Sequence, residues 1–246
     1  MLKLKNNQLN NKSTNVTLRI FLKLSYCLLF VCLFSCAGDT KSKKENSTTI
    51  EQETIIKSEP ETTSQRIVFF GDSLTAGYGL EDVNNAFPGI IQSKIDSLGL
   101  DYTVVNSGVS GETTAGGKNR IDWVLNQKPT VFILELGAND GLRGVPLTET
   151  KSNLQHIITA VQTKYPKTKL VLAGMQIPPN MGQEYTNEFK NIFPNLAKKN
   201  NISLVPFLLE NVGGIPSLNQ ADGIHPTKKG HRILAKNVWE VLKPML

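Results

Sequence analysis

The sequence predicts an α/β protein, a three-layer α/β/α sandwich built on a five-stranded parallel sheet. Three observations carry that expectation. Five short, nearly unbroken apolar runs recur from residue 66 onward, segments of helical periodicity alternate with them, and the runs end in loops containing Gly, Asn, Asp and Ser. Unbroken apolar strands are those covered on both faces, and strand–helix alternation implies right-handed crossovers between parallel strands.

The strands are expected at "RIVFF" (66–70), "YTVVN" (102–106), "VFILEL" (131–136), "LVLAGM" (170–175) and "SLVPF" (203–207). Phe87-Pro88 opens a helix, since proline is tolerated in a first turn. Leu154, Ile157, Ile158 and Val161 recur at i, i+3, i+4, i+7, which gives a second helix one apolar face. Thr227 precedes a last helix running to about Val241, with Ile233, Leu234, Val238 and Val241 as its buried stripe. Residues 66–246 number 181, which suits one domain with a sizeable core, and no repeat of 20–50 residues is visible.

Residues 1–35 are set apart from this domain. They carry Lys3, Lys5, Lys12, Arg19 and Lys23, no acid, and then the uncharged run "LSYCLLFVCLFS" (24–35). Twelve residues is the length of a signal-peptide core and falls short of the roughly 18 that span a bilayer. The run closes in "LFSC" (33–36), which resembles a bacterial lipobox; the resemblance implies that Cys36 becomes the first mature residue and carries lipid. Residues 37–65 hold Thr, Ser, Glu and Lys, with Ile50, Ile55 and Ile56 as their large apolar residues, so they cannot offset their ordering entropy by burial and read as a tether. The expected organisation is therefore a leader (1–35), a lipidated Cys36 with a linker (36–65) and a catalytic-sized domain (66–246). The expected location is outside the cytoplasm, anchored at the bacterial cell envelope.

Charge and cysteines narrow the functional classes. The leader's five cations account for most of the formal +6, and residues 36–246 keep only +1, so no nucleic-acid partner is expected. Of the three cysteines, Cys27 and Cys32 lie in the leader, which leaves Cys36 and no internal disulfide. No CxxC or Cys/His cluster implies a metal, and no cofactor is expected.

In parallel sheets, sites form beyond the carboxyl ends of the strands. Four loops fall there: Gly71-Asp72-Ser73, "NSGVSGET" (106–113), "LGANDG" (136–141) and "ADGIHP" (221–226). Each alone is an ordinary turn. Together they supply the parts of acyl transfer: a serine nucleophile (Ser73), a histidine base (His225) and a carboxylate three residues away to fix its tautomer (Asp222). The Ser73 amide, the Gly111 amide and the Asn139 carboxamide can serve as oxyanion donors. No GxSxG elbow occurs, which disfavours the common α/β-hydrolase arrangement. His156 and His231 read as surface or packing residues, and Asp72 as a partner of loop backbone.

These four blocks resemble those of the SGNH hydrolases of the GDSL type. Ser73 in "GDSL", Gly111 in "SGET", Asn139 in "GAND" and the Asp222-x-x-His225 pair match in order, from about Ile67 to the last helix. The flanks "ELGANDGLRG" and "MQIPPNMG" are similar to the bacterial thioesterase, lysophospholipase and arylesterase subgroup, whose loops at 142–146 and 177–182 would line an acyl pocket. The resemblance implies a flavodoxin-like SGNH fold and a monomeric serine esterase. Its substrates would be small acyl esters (lysophospholipid, aryl or other short-to-medium esters, with thioesters as a side activity). Two alternatives stand beside it: deacetylation of envelope carbohydrate, favoured by a pocket too shallow for more than a two-carbon acyl group, and a non-catalytic envelope binding protein.

Overall fold

The computed structural model describes residues 65–246. The leader, Cys36 and all of the linker except Gln65 lie outside the described residues. Strands β1 (Gln65–Gly71), β2 (Tyr102–Gly108), β3 (Val131–Glu135), β4 (Lys169–Ala173) and β5 (Ser203–Val205) form one parallel sheet in the order β2-β1-β3-β4-β5. The helices are α1 (Ser73–Ala76), α2 (Phe87–Ser97), α3 (Thr114–Val124), α4 (Ala138–Leu142), α5 (Leu147–Lys164), α6 (Gln183–Asn200) and α7 (Lys228–Leu242). The five-stranded parallel sheet is as expected, and β1 begins one residue earlier than the sequence suggests.

Right-handed crossovers sort the helices into two layers. The chain steps from β1 to β2 in one direction, then reverses and runs β2 to β3 to β4 to β5. The helix of the first step therefore covers one face, and those of the later steps cover the other. Packing follows this division: α2 lies against α7, while α3 packs on α5 and α5 on α6.

Buried apolar side chains fill the space between the layers. Ile67, Phe69, Phe70, Phe132, Ile133 and Leu134 are fully buried, as are Leu154, Ile157, Ile158 and Val161 of α5. The expectation of strands covered on both faces holds for β1, β3 and β4, but β2 and β5 are the edge strands: residues of β2 beyond Tyr102 are only half buried or exposed, and in β5 only Val205 is buried. In α7 the buried stripe is Leu234, Ala235, Val238, Trp239 and Leu242, so Ile233 and Val241 sit at its margins rather than its centre. No helix among the described residues is long and apolar enough to cross a membrane.

The order reverses between β1 and β3, and such a switch point opens a crevice at the carboxyl edge of the sheet. Register aligns Gly71 with Gly108 on one side and with Glu135 on the other. Three loops therefore leave the sheet side by side.

Candidate active site

The first of these loops turns sharply into α1. Asp72 caps α1, its Oδ1 accepting from the Leu74 N–H at 3.0 Å, and places Ser73 as the first helical residue. Gly71 is required because a Cβ there would overlap Thr75 Oγ1 and the Glu135 carboxyl. Ser73 is buried, with 7% of its surface exposed, and it lines the cavity described below.

His225 arrives from the loop before α7. That loop is closed by an antiparallel bridge between Asn219 and Pro226 and by the Gln220 N–H donating to the His225 carbonyl at 2.7 Å. Gln220 Nε2 also donates to the Tyr78 carbonyl at 2.7 Å, which holds the Tyr78 ring 4.6 Å from the imidazole. His225 Nε2 lies 2.9 Å from Ser73 Oγ, and Nδ1 lies 2.7 Å from Asp222 Oδ2.

The carboxylate settles the tautomer. An ionised Asp222 only accepts, so Nδ1 donates and the Nε2 lone pair faces the serine hydroxyl. Asp222 is held ionised with its pKa lowered to about 2, first by the backbone N–H of His225, then by the imidazole and the Ile224 N–H. Hydrogen bonding, not burial, is the cause.

Asn139 stands in α4, just past β3. Its Nδ2 donates to Asp72 Oδ2 at 3.0 Å, so Asp72 bonds loop backbone, as expected, and also a neighbouring side chain. Gly111 sits at φ 78°, a left-handed turn that favours glycine. Its loop is pinned by Glu112, which takes two hydrogen bonds from Arg120 at 2.6 and 2.5 Å, while Arg120 Nη2 also donates to the Ser107 carbonyl at 2.8 Å. Behind the Asp72-Ser73 turn lies Glu135, fully buried, accepting from the Asp72 N–H at 3.2 Å and from Thr75 Oγ1 at 2.8 Å. Burial, reinforced by the neighbouring Asp72, pushes the Glu135 pKa well up, and burial raises Asp72 to about 6.

Ser73, Gly111, Asn139 and His225 all line one cavity of about 660 Å³. Leu142, Met175, Ile177, Pro178, Phe207 and Leu209 give it an apolar wall. Leu142, Ile177 and Pro178 belong to the two loops the sequence assigns to an acyl pocket. His156 is exposed on the surface, and His231 is buried with Nδ1 accepting from the Phe87 N–H at 3.2 Å, a packing role. Among the described residues no group of three or more His, Cys, Asp or Glu could hold a metal.

The sequence reading brings Ser73, Asp222, His225, Gly111 and Asn139 forward, and the fold gathers them. It passes over Glu135, Gln220, Tyr78, Arg120 and Arg143. Only Arg143 leaves a local signal, its spacing of four residues from Asn139.

Residues 69–233 match the GDSL-like Lipase/Acylhydrolase family. The chain belongs to that family. Among curated proteins, a relative named esterase TesA, from Pseudomonas aeruginosa, is 39% identical, covering 74% of this chain and 90% of that protein. An arylesterase of Vibrio mimicus is 35% identical over 73% and 88%, respectively. The Escherichia coli K12 thioesterase 1/protease 1/lysophospholipase L1 is 34% identical over 73% and 84%. The crystal structure of TesA superposes with a TM-score of 0.70, covering 74% of this chain and all of that one. This GDSL hydrolase is accordingly a carboxylic ester hydrolase, a serine esterase acting on small-molecule esters.

Proposed function

We propose that the domain hydrolyses acyl esters through an acyl-serine intermediate at Ser73, with His225 as base and acid and Asp222 orienting it. The observation that carries this reading is the hydrogen-bonded chain Ser73 Oγ–His225 Nε2, His225 Nδ1–Asp222 Oδ2, at 2.9 and 2.7 Å, opening onto an apolar cavity.

Ser73 Oγ attacks the carbonyl carbon as its proton passes to Nε2. The oxyanion is held by the Ser73 and Gly111 amides and by Asn139 Nδ2, donors worth roughly 10²–10³ in rate each. His225 then gives its proton to the departing alkoxide, leaving the acyl group on Ser73. Water, deprotonated by the same nitrogen, attacks the acyl carbon, and the acid leaves as Ser73 recovers its proton.

The cavity's size and apolar wall support acyl groups longer than acetate over the deacetylation of carbohydrate. We further assign residues 1–35 as a leader and Cys36 as a lipid anchor, with the enzyme a monomer at the cell envelope. Acyl-CoA is a cytosolic metabolite, so an exported enzyme meets lysophospholipids and other acyl esters first. The test is a panel of p-nitrophenyl esters of two to sixteen carbons with the mature chain. The kcat/KM is expected to rise beyond acetate; a maximum at acetate that falls steeply with length would return the deacetylase reading.

A further inference from the structure

Asn139, in α4, and Arg143, which caps the C-terminus of α4, lie one helical turn apart on the same side. The Arg143 N–H bonds the Asn139 carbonyl at 3.2 Å, closing the helix. Its side chain turns back over the site: Nη2 donates to Asn139 Oδ1 at 3.3 Å and to the Gly111 carbonyl at 3.1 Å. At the other end of the same carboxamide, Nδ2 donates to Asp72 Oδ2 at 3.0 Å. A cation thus grips the amide oxygen and a buried carboxylate grips the amide nitrogen.

This arrangement admits one orientation of the amide. A half-turn about its last bond would set Oδ1 against the Asp72 carboxyl and Nδ2 against the guanidinium, acceptor to acceptor and donor to donor. With one Nδ2 hydrogen given to Asp72, the direction of the second is fixed by the amide plane, and that plane is set from its oxygen end by Arg143. The same Nη2 ties the Gly111 loop to α4, so the two proposed donors keep a constant spacing. A guanidinium on the amide oxygen also polarises the group and strengthens its N–H as a donor.

We propose that Arg143 is a positioning residue of the oxyanion hole, acting through Asn139 and the Gly111 loop rather than on the substrate. The inference rests on the assignment of Asn139 and Gly111 as oxyanion donors. Arg143 is exposed, so replacing it leaves the core intact and the melting temperature serves as a control.

The experiment is a double-mutant cycle on the mature chain with wild type, Asn139→Ala, Arg143→Met and the pair, using one soluble p-nitrophenyl ester. Asn139→Ala lowers kcat roughly 10²–10³-fold. Arg143→Met lowers kcat by about tenfold with KM nearly unchanged, since misplacing a donor costs less than deleting it. In the Asn139→Ala background the arginine change costs little more, because the group it positions is already gone. Arg143→Lys, which keeps the charge without the planar fork, recovers part of the rate. Fully multiplicative losses would overturn the inference while leaving Asn139 a donor, and a raised KM at unchanged kcat would make Arg143 a substrate-binding residue. An Asn139→Ala enzyme with unchanged kcat would remove the donor assignment itself and the inference with it.

Discussion

Two carboxyl groups near Ser73 are pulled in opposite directions by their surroundings. Asp222 is exposed and held anionic by three N–H groups, whereas Glu135 is sealed from water beside Asp72, and both effects push its pKa well up. Glu135 accepts from the Asp72 N–H and Thr75 Oγ1 in a site that favours its protonated form. This has a pH signature with a definite sign. For an acid whose pKa is raised by folding, the folded state holds more protons than the unfolded state above about pH 4.3, so this group's contribution to stability falls as pH rises toward the folded pKa. Glu135→Gln keeps an acceptor for both donors and has nothing to titrate. Its melting temperature, followed from pH 5 to 9, is expected to decline less steeply than that of wild type, with the raised pKa of Asp72 leaving a residual slope at the acid end, while esterase activity persists. A variant that declines as steeply as wild type would mean that Glu135 does not carry the slope.

At the scale of elements, legibility followed how local each cause is. Strands β1, β3 and β4 announce themselves because both faces are buried, so their sequences are apolar throughout. Edge strand β2 was readable only in position, since one flank faces solvent. Helix α6 is hidden in the sequence although Phe189, Ile192, Phe193, Leu196 and Ala197 recur at helical spacing. Pro194 inside it, and the prolines of the loop before it, read locally as breakers. In α7 the helix was legible but its rotation was not. Which side faces the sheet depends on the docking of α2, where His231 bonds the Phe87 N–H and lies 6.3 Å from the Phe87 ring. The candidate site divides the same way. Ser73, Gly111, Asn139, Asp222 and His225 stand in short motifs after strand ends, whereas Glu135 and Gln220 acquire their partners only through long-range register and loop closure.

For the molecule as a whole, the near-neutral charge of residues 36–246 leaves no electrostatic reason to hold it on an anionic surface. On the proposal that Cys36 carries lipid, membrane attachment depends on that residue rather than on charge. Fractionation checks this: the wild-type protein is expected with membranes, and Cys36→Ser in the soluble fraction with equal esterase activity. Wild type found wholly soluble would remove the anchor and the case for envelope lipids as substrates.

The proposed mechanism requires that Ser73 Oγ be the atom that attacks the ester. An organophosphonate ester that traps serine nucleophiles, incubated with the mature chain and mapped by peptide mass spectrometry, tests it most directly. The adduct is expected on Ser73 alone, and Ser73→Ala is expected to take no label and to lose turnover by about 10⁶. Label on any other residue, or an alanine variant that still turns over ester, would contradict the mechanism.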